Sequence, residues 1–76
     1  MVRILIVDDD KDILKLTDSL LSQANYDVRT AIDPIKAMDL LNSGKFDLLI
    51  TDANMPHYTG FELIKTIKND ARHRNL

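Results

Sequence analysis

Three short apolar segments alternate with three longer segments in which apolar residues recur every three or four positions, and this alternation constrains the fold most. The first apolar segment, VRILIV at residues 2–7, precedes a helical pattern that runs from Asp10 to Ala24. Residues 26–31 and 46–51 repeat the strand pattern, and a helical pattern follows each of them. The order βαβαβα is typical of an α/β fold, with a parallel sheet and helices on both faces.

The strand patterns also predict the strand order. The first strand is continuously apolar after Arg3, as expected of a central strand that is covered on both faces. Residues 26–31, YDVRTA, alternate between apolar and polar and suit an edge strand. Right-handed crossovers place the first helix on one face and the other two helices on the opposite face if the strand order is 2-1-3.

Each helix has a predicted buried face and capping residues. Asp33 and Pro34 begin the second helix, Gly44 ends it in the left-handed conformation, and Thr59 caps the third helix in a capping box with Glu62. The predicted buried faces are Ile13, Leu16, Thr17, Leu20, Leu21 and Ala24 in the first helix, Ile35, Ala37, Met38 and Leu41 in the second, and Phe61, Ile64 and Ile67 in the third.

Composition excludes several classes of protein. The 76 residues suffice for one domain at most, and the absence of cysteine excludes disulfides and thiolate metal sites. A net charge of −2 argues against nucleic acid or an anionic membrane as a direct partner. The opening residues are too short an apolar stretch for a signal peptide or a membrane span, so a cytoplasmic location is expected.

Acidic residues follow two strands that the predicted order makes neighbours. Asp8 and Asp9 follow the first strand, and Asp52 follows the third. Neighbouring strands lie about 4.8 Å apart, so these carboxylates are expected to share one small volume at the carboxyl edge of the sheet, where α/β proteins bind ligands. Their mutual repulsion favours a bound divalent cation, and an oxygen-only ligand set suits Mg²⁺ better than zinc. A carboxylate beside such an ion can act as a nucleophile towards phosphorus.

Simpler interpretations exist for the same residues. Asp8 and Asp9 could place negative charge at the positive end of the first helix, a role that we assign to Asp10, and Asp52 could cap a turn. Helix capping alone does not explain acids at two adjoining strand ends. His57 is interpreted as a solvated loop residue, because Mg²⁺ prefers oxygen ligands. Tyr58 is interpreted as a loop aromatic residue, with a contact to a kinase as the alternative.

Two segments then show a family resemblance. ILIVDDD at 4–10 and TDANMP at 51–56, together with Gly60, resemble the receiver domain of two-component response regulators. The resemblance implies a flavodoxin-like fold and a signalling module, not an enzyme. It further implies that Asp52 accepts a phosphoryl group from the phosphohistidine of a sensor histidine kinase. Mg²⁺ would be bound by Asp8, Asp9, Asp52 and the backbone carbonyl of Asn54.

The resemblance also implies further elements after Leu76. A receiver continues into two more strands and helices, so residues 1–76 are expected to form the first three βα units of a truncated receiver domain, incomplete for signalling. The alternative is a structural or interaction fragment that does not signal and associates with itself through the open edge of the third strand, as a dimer or by exchange of elements. A nucleotide hydrolase is excluded by the lack of a GxxxxGK[ST] loop, and an aspartate-nucleophile phosphatase by the lack of a second acid two residues after Asp52.

Overall fold

The predicted element order is present in a computed structural model of the chain, which describes residues 1–52 and 60–69. The elements are β1 (Arg3–Val7), α1 (Lys11–Gln23), β2 (Asp27–Ala31), α2 (Pro34–Ser43), β3 (Leu48–Thr51) and α3 (Gly60–Asn69). The described helices include none that is long and apolar enough to cross a bilayer.

The three strands form one parallel sheet in the order β2-β1-β3, which confirms the predicted topology. In the central strand, Ile4 pairs with Val28 on one side and with Leu48 on the other. The central strand is fully buried after Arg3, whereas β2 alternates in burial along its length. The continuous apolar run and the alternating run in the sequence therefore predicted the central and edge positions correctly.

Alternate residues of the central strand bury themselves against different helices. Leu5 and Val7 pack with α2 and α3, in a cluster that includes Ala37, Leu41 and Leu63. On the opposite face, residues of the sheet pack with Leu14 of α1 and with the partly buried Leu21; these sheet residues are Ile4, Ile6 and Val28. One helix on one face and two on the other is the arrangement that right-handed crossovers require for this strand order.

The buried face of α1 agrees only in part with the predicted one, which included the partly buried Leu21. Leu14 is the buried residue of this helix, whereas Ile13, Leu16 and Leu20 are 48%, 62% and 60% exposed. This helix carries two apolar stripes at helical spacing, and periodicity alone does not tell which of them the sheet covers. Contact with Ile4, Ile6 and Val28 selects the stripe of Leu14 and Leu21.

The other two helices show the same kind of correction. In α2, Ala37 and Leu41 are buried as predicted and Met38 is partly buried, but Ile35 is 78% exposed. In α3, Leu63 and Ile67 are buried, and Ile64 is 41% exposed. The Leu63–Ile67 spacing of four residues places both side chains on the face that meets Leu5 and Val7. The capping role predicted for Thr59 falls outside the described residues.

The helix termini confirm the cap predicted at Asp33 and correct the one predicted at Gly44. Asp10 and Asp33 cap α1 and α2 with their carboxylates. Gly44, predicted to be left-handed, is instead extended with φ −159°, and the left-handed residue is Asn25 after α1, with φ 68°. Glycine at position 44 instead allows the close approach of the Arg3 side chain, because an added Cβ would lie 3.0 Å from Nη1 of Arg3.

The outer strand β3 is only partly covered. Leu48 and Ile50 are 47% and 40% exposed. They pair with Ile4 and Ile6 and lie on the same face of the sheet as those residues. On this face, α1 packs against β1 and β2. Leu49 points to the opposite face and packs against the core.

Candidate functional site

The acidic site is built by the two strand ends that lie side by side. The N–H of Asp8 donates to the carbonyl of Ala31 at 3.1 Å, and the N–H of Asp52 donates to the carbonyl of Val7 at 3.0 Å. Both aspartates therefore continue the hydrogen-bond ladder one residue beyond the strands. The backbone register therefore sets their position at the sheet edge.

The structure brings the three predicted acids together. One carboxylate oxygen from each of Asp8, Asp9 and Asp52 lies within 4.8 Å of the others. Asp8 and Asp52 are half-buried and Asp9 is exposed. The juxtaposition expected from strand spacing and strand order is therefore observed.

The turn after the first strand fixes the direction of one of these carboxylates. The N–H of Asp10 donates to Oδ1 of Asp8 at 2.9 Å, which closes an Asx turn. The carboxylate of Asp10 in turn accepts from the N–H groups of Asp12 and Ile13, at 2.9 and 3.3 Å. Our sequence interpretation gave Asp10 only a role at the helix terminus. The Asp-x-Asp spacing of residues 8 and 10 is the signal that could have revealed the second role.

The strand that carries Asp52 contributes a hydroxyl to its own exit. Oγ1 of Thr51 donates to the backbone carbonyl of Asp52 at 3.1 Å. The bond restrains the carbonyl group of Asp52. Three other residues considered above, Asn54, His57 and Tyr58, lie outside the described residues.

The donor set determines which ligand the site suits. Within residues 1–52 and 60–69, the only grouping of three or more potential metal ligands is this carboxylate cluster. Hard oxygen donors favour Mg²⁺, Ca²⁺ or Mn²⁺ over metals that prefer sulfur or imidazole. Because Asp9 is exposed, water can complete the coordination sphere, as Mg²⁺ generally requires. The residues present therefore fit a magnesium ion.

Comparison with known proteins identifies a matching family and similar sequences. Residues 4–75 match the family described as the response regulator receiver domain. The chemotaxis protein CheY of Pseudomonas aeruginosa is 37% identical over 76 residues, which cover 99% of this chain and 61% of that protein. The two-component response regulator ARR12 of Arabidopsis thaliana is 44% identical over 68 residues, which cover 87% of this chain and 11% of that protein.

Solved structures agree with the fold. The chemotaxis protein CheY4 of Vibrio cholerae superimposes with a TM-score of 0.93 at 35% identity, over 97% of this chain and 62% of that one. The response regulator TrrA of Thermotoga maritima, solved in complex with Mg²⁺–BeF, gives a TM-score of 0.87 at 35% identity, over 95% of this chain and 63% of that one. The chain thus spans less than two thirds of the proteins that it matches. The parallel sheet of order 2-1-3, the acids at its carboxyl edge and the match over residues 4–75 show that this chain belongs to the response regulator receiver domain family.

Proposed function

We propose that this chain is a phosphoacceptor module of two-component signalling and that Asp52 is the residue that becomes phosphorylated. The observation that carries the proposal is the approach of Asp8, Asp9 and Asp52 to within 4.8 Å at the ends of two adjacent strands. Asp52 comes from a different strand than the other two acids, so one of its oxygens can face a phosphoryl group while the other helps Asp8 and Asp9 to hold a cation. Family membership supports the same assignment.

The residues divide the chemistry between them. A carboxylate oxygen of Asp52 attacks phosphorus, the P–N bond of a phosphohistidine breaks, and the electron pair leaves on the imidazole nitrogen. Asp8, Asp9 and Asp52 hold Mg²⁺, with the backbone carbonyl of Asn54 as the further proposed ligand. When bound, Mg²⁺ neutralises charge on the phosphoryl oxygens and lowers their repulsion from the carboxylate. The likeness to a regulator solved with Mg²⁺–BeF supports this ligand.

The partner and setting follow from the proposed chemistry. A sensor histidine kinase is the donor, and the module works in the cytoplasm as a carrier of signal and not as an enzyme. We propose that residues 1–76 correspond to the first three βα units of a receiver domain. The share of the chemotaxis structure that the chain spans, 62%, supports this correspondence.

The test is Mg²⁺-dependent labelling by a small phosphodonor. The chain is incubated with acetyl phosphate, and the modified residue is located by mass spectrometry after borohydride trapping. We expect phosphorylation at Asp52 that is lost on chelation of Mg²⁺ and lost in Asp52→Asn. Asp39→Asn, which removes an exposed acid of α2, is the matched control and keeps the label. Label on another residue, or unchanged label in Asp52→Asn, contradicts the proposal.

We propose as a second candidate function that the chain associates with itself through β3, as a structural or interaction fragment that does not signal. Within the sheet, β3 has a neighbour on one side only, and its residues Leu48 and Ile50 are 47% and 40% exposed. An uncharged apolar edge strand is a template for pairing with another chain. The other edge strand, β2, carries an ion pair between Asp27 and Arg29 and is protected by charge.

Sedimentation velocity at increasing concentration tests this second candidate. We expect the mean mass to rise with concentration for the natural sequence. In Ile50→Lys, which places a charge on the edge strand β3, we expect the mass to stay that of a monomer. Ile35→Lys makes the same change at a residue of α2 that is 78% exposed, and should behave as the natural sequence does. Equal association of Ile50→Lys and Ile35→Lys would exclude the β3 edge.

A further inference from the structure

We infer that Asp10 is a positioning residue for the metal site, acting through Asp8 although its own carboxylate is no metal ligand. The inference rests on the proposed function, since it concerns the binding of Mg²⁺ at the same site. It adds a residue that neither the acidic cluster nor the phosphoacceptor assignment includes.

The geometry links Asp10 to the site and to the helix in opposite directions. Its N–H donates to Oδ1 of Asp8 at 2.9 Å, while its carboxylate accepts from the N–H of Asp12 at 2.9 Å. A further bond runs from the N–H of Ile13 to the same carboxylate oxygen, at 3.3 Å. The side chain of Asp10 is therefore committed to the first turn of α1, and its main chain to Asp8.

These two sets of bonds are mechanically coupled through the backbone of Asp10. The cap holds the residue in an extended conformation, φ −91° and ψ 109°. That conformation also fixes the direction of its N–H. If the cap is lost, the first turn of the helix frays and the N–H no longer holds the Asp8 carboxylate in one orientation.

Freedom of Asp8 weakens the metal site because binding must then restore the order that the cap supplied. One Asp8 oxygen accepts from the Asp10 N–H, so the other oxygen can bind a cation. Groups that orient a metal ligand commonly change metal affinity by about 10-fold or more when they are removed. Asp10 fits that description, because its N–H contacts the proposed ligand Asp8 and its helix cap holds that N–H in place.

Two substitutions at this position separate capping from charge. Asp10→Ala and Asp10→Asn remove the same negative charge, but asparagine caps a helix about as well as aspartate does. We expect the Mg²⁺ dissociation constant, measured by calorimetry, to rise by about 5- to 10-fold in Asp10→Ala and by less than about 2-fold in Asp10→Asn. An equal rise in both variants would show that Asp10 acts by charge, and no rise in Asp10→Ala would show that Asp8 is oriented without it.

The control uses the other capped helix. Asp33 caps α2 through a bond of 2.7 Å from the N–H of Lys36, and Asp33 lies outside the acidic cluster found among the described residues. Asp33→Ala therefore costs a cap of the same kind and should leave Mg²⁺ affinity unchanged. A rise as large as that in Asp10→Ala would mean that any loss of helix stability weakens the site, which overturns the inference.

A second readout works without metal and separates this inference from the proposed function. Hydrogen exchange of the Asp10 amide in metal-free protein should be slow in the natural sequence and in Asp10→Asn, and at least about 5-fold faster in Asp10→Ala. Unchanged exchange in Asp10→Ala overturns the positioning role. If the natural sequence binds no Mg²⁺ while the exchange pattern is as expected, the proposed function fails and the coupling of Asp10 to Asp8 stands.

Discussion

The acidic residues at the two ends of the sheet have different charged neighbours. At the amino end, Asp27 accepts from Nε of Arg3 at 3.1 Å and pairs with Arg29 at 3.0 Å, and Asp47 accepts from the N–H of Arg3 at 2.9 Å. The Arg3 guanidinium also lies over the ring of Phe46, with its central carbon 4.8 Å from the ring centroid. At the carboxyl end, Asp8, Asp9 and Asp52 are gathered within 4.8 Å of one another.

The difference separates acidic residues that the chain itself neutralises from acidic residues that we propose to bind a cation. At the amino end, Asp27 pairs with Arg3 of the neighbouring strand and with Arg29 of its own strand, so the chain supplies its own compensation. At the carboxyl end, like charges are held together by the backbone register, and a bound cation would offset their repulsion. Substitutions at the amino end should change stability, and substitutions at the carboxyl end should change ligand affinity.

The largest effect is expected from removing charge at the carboxyl end. The double variant Asp8→Asn, Asp9→Asn should lose at least about 1,000-fold in Mg²⁺ affinity, over about 4 kcal/mol, because only one of three carboxylates is left. Calorimetric titration measures the loss. Asp27→Asn is the matched change at the amino end and should keep the natural affinity. Similar losses in the two proteins would remove the distinction between the ends.

The central strand joins both ends, so a cavity in it should cost more stability than any change at the amino end. Leu5 is fully buried, and Leu5→Ala is expected to lower the free energy of unfolding by about 3 kcal/mol. Leu20→Ala, at a residue 60% exposed in α1, should change it by less than about 0.5 kcal/mol. Urea denaturation followed by circular dichroism measures both. A large loss in Leu20→Ala would instead support the helix face predicted from sequence.

An intermediate effect of opposite sign at the two ends would sharpen the comparison. Asp27→Asn should lower the free energy of unfolding by about 1 kcal/mol, because two partly exposed arginine contacts weaken. Asp9→Asn in metal-free protein should raise the free energy of unfolding by about 0.5 kcal/mol, because the repulsion of Asp9 from Asp8 and Asp52 is removed. Both changes in free energy should be smaller in high salt. Destabilisation of metal-free protein by Asp9→Asn would show that the acidic cluster is not repulsive.

The smallest effect is expected at Gly44, beside the arginine of the amino end. An added Cβ would meet Nη1 of Arg3 at 3.0 Å, yet that atom ends a flexible side chain and the backbone at Gly44 is extended. Gly44→Ala should therefore destabilise by no more than about 0.5 kcal/mol. In an Arg3→Ala background the same change should be neutral or stabilising. A cost that persists without Arg3 would show that the backbone, and not the guanidinium, requires glycine.

The sequence predicted the fold well where one physical rule dominated. The continuous apolar run of residues 4–7 could be buried only in a central strand, and the order of elements then allowed few topologies. The proximity of the three acids was predicted for the same reason, since Asp8 and Asp52 directly follow neighbouring strands and strand ends in a parallel sheet meet. Asp33 with Pro34 was equally decisive, because both residues favour the start of a helix.

Prediction failed where several solutions satisfied the same rule. In α1, the stripe of Ile13, Leu16 and Leu20 is as periodic as that of Leu14 and Leu21, and only the position of the sheet distinguishes them. Gly44 was predicted to be left-handed because glycine often ends helices in that conformation. Its contact with Arg3 joins residues far apart in the sequence, and the local pattern does not indicate it.

The sequence by itself determined the alternation of strands and helices, the central and edge strands, and which acids end neighbouring strands, because these depend on period and order along the chain. The tertiary structure decided which face each helix buries and the ion pair between Arg3 and Asp27. Those features depend on the rotation of helices and on side chains far apart in sequence, and only packing fixes these.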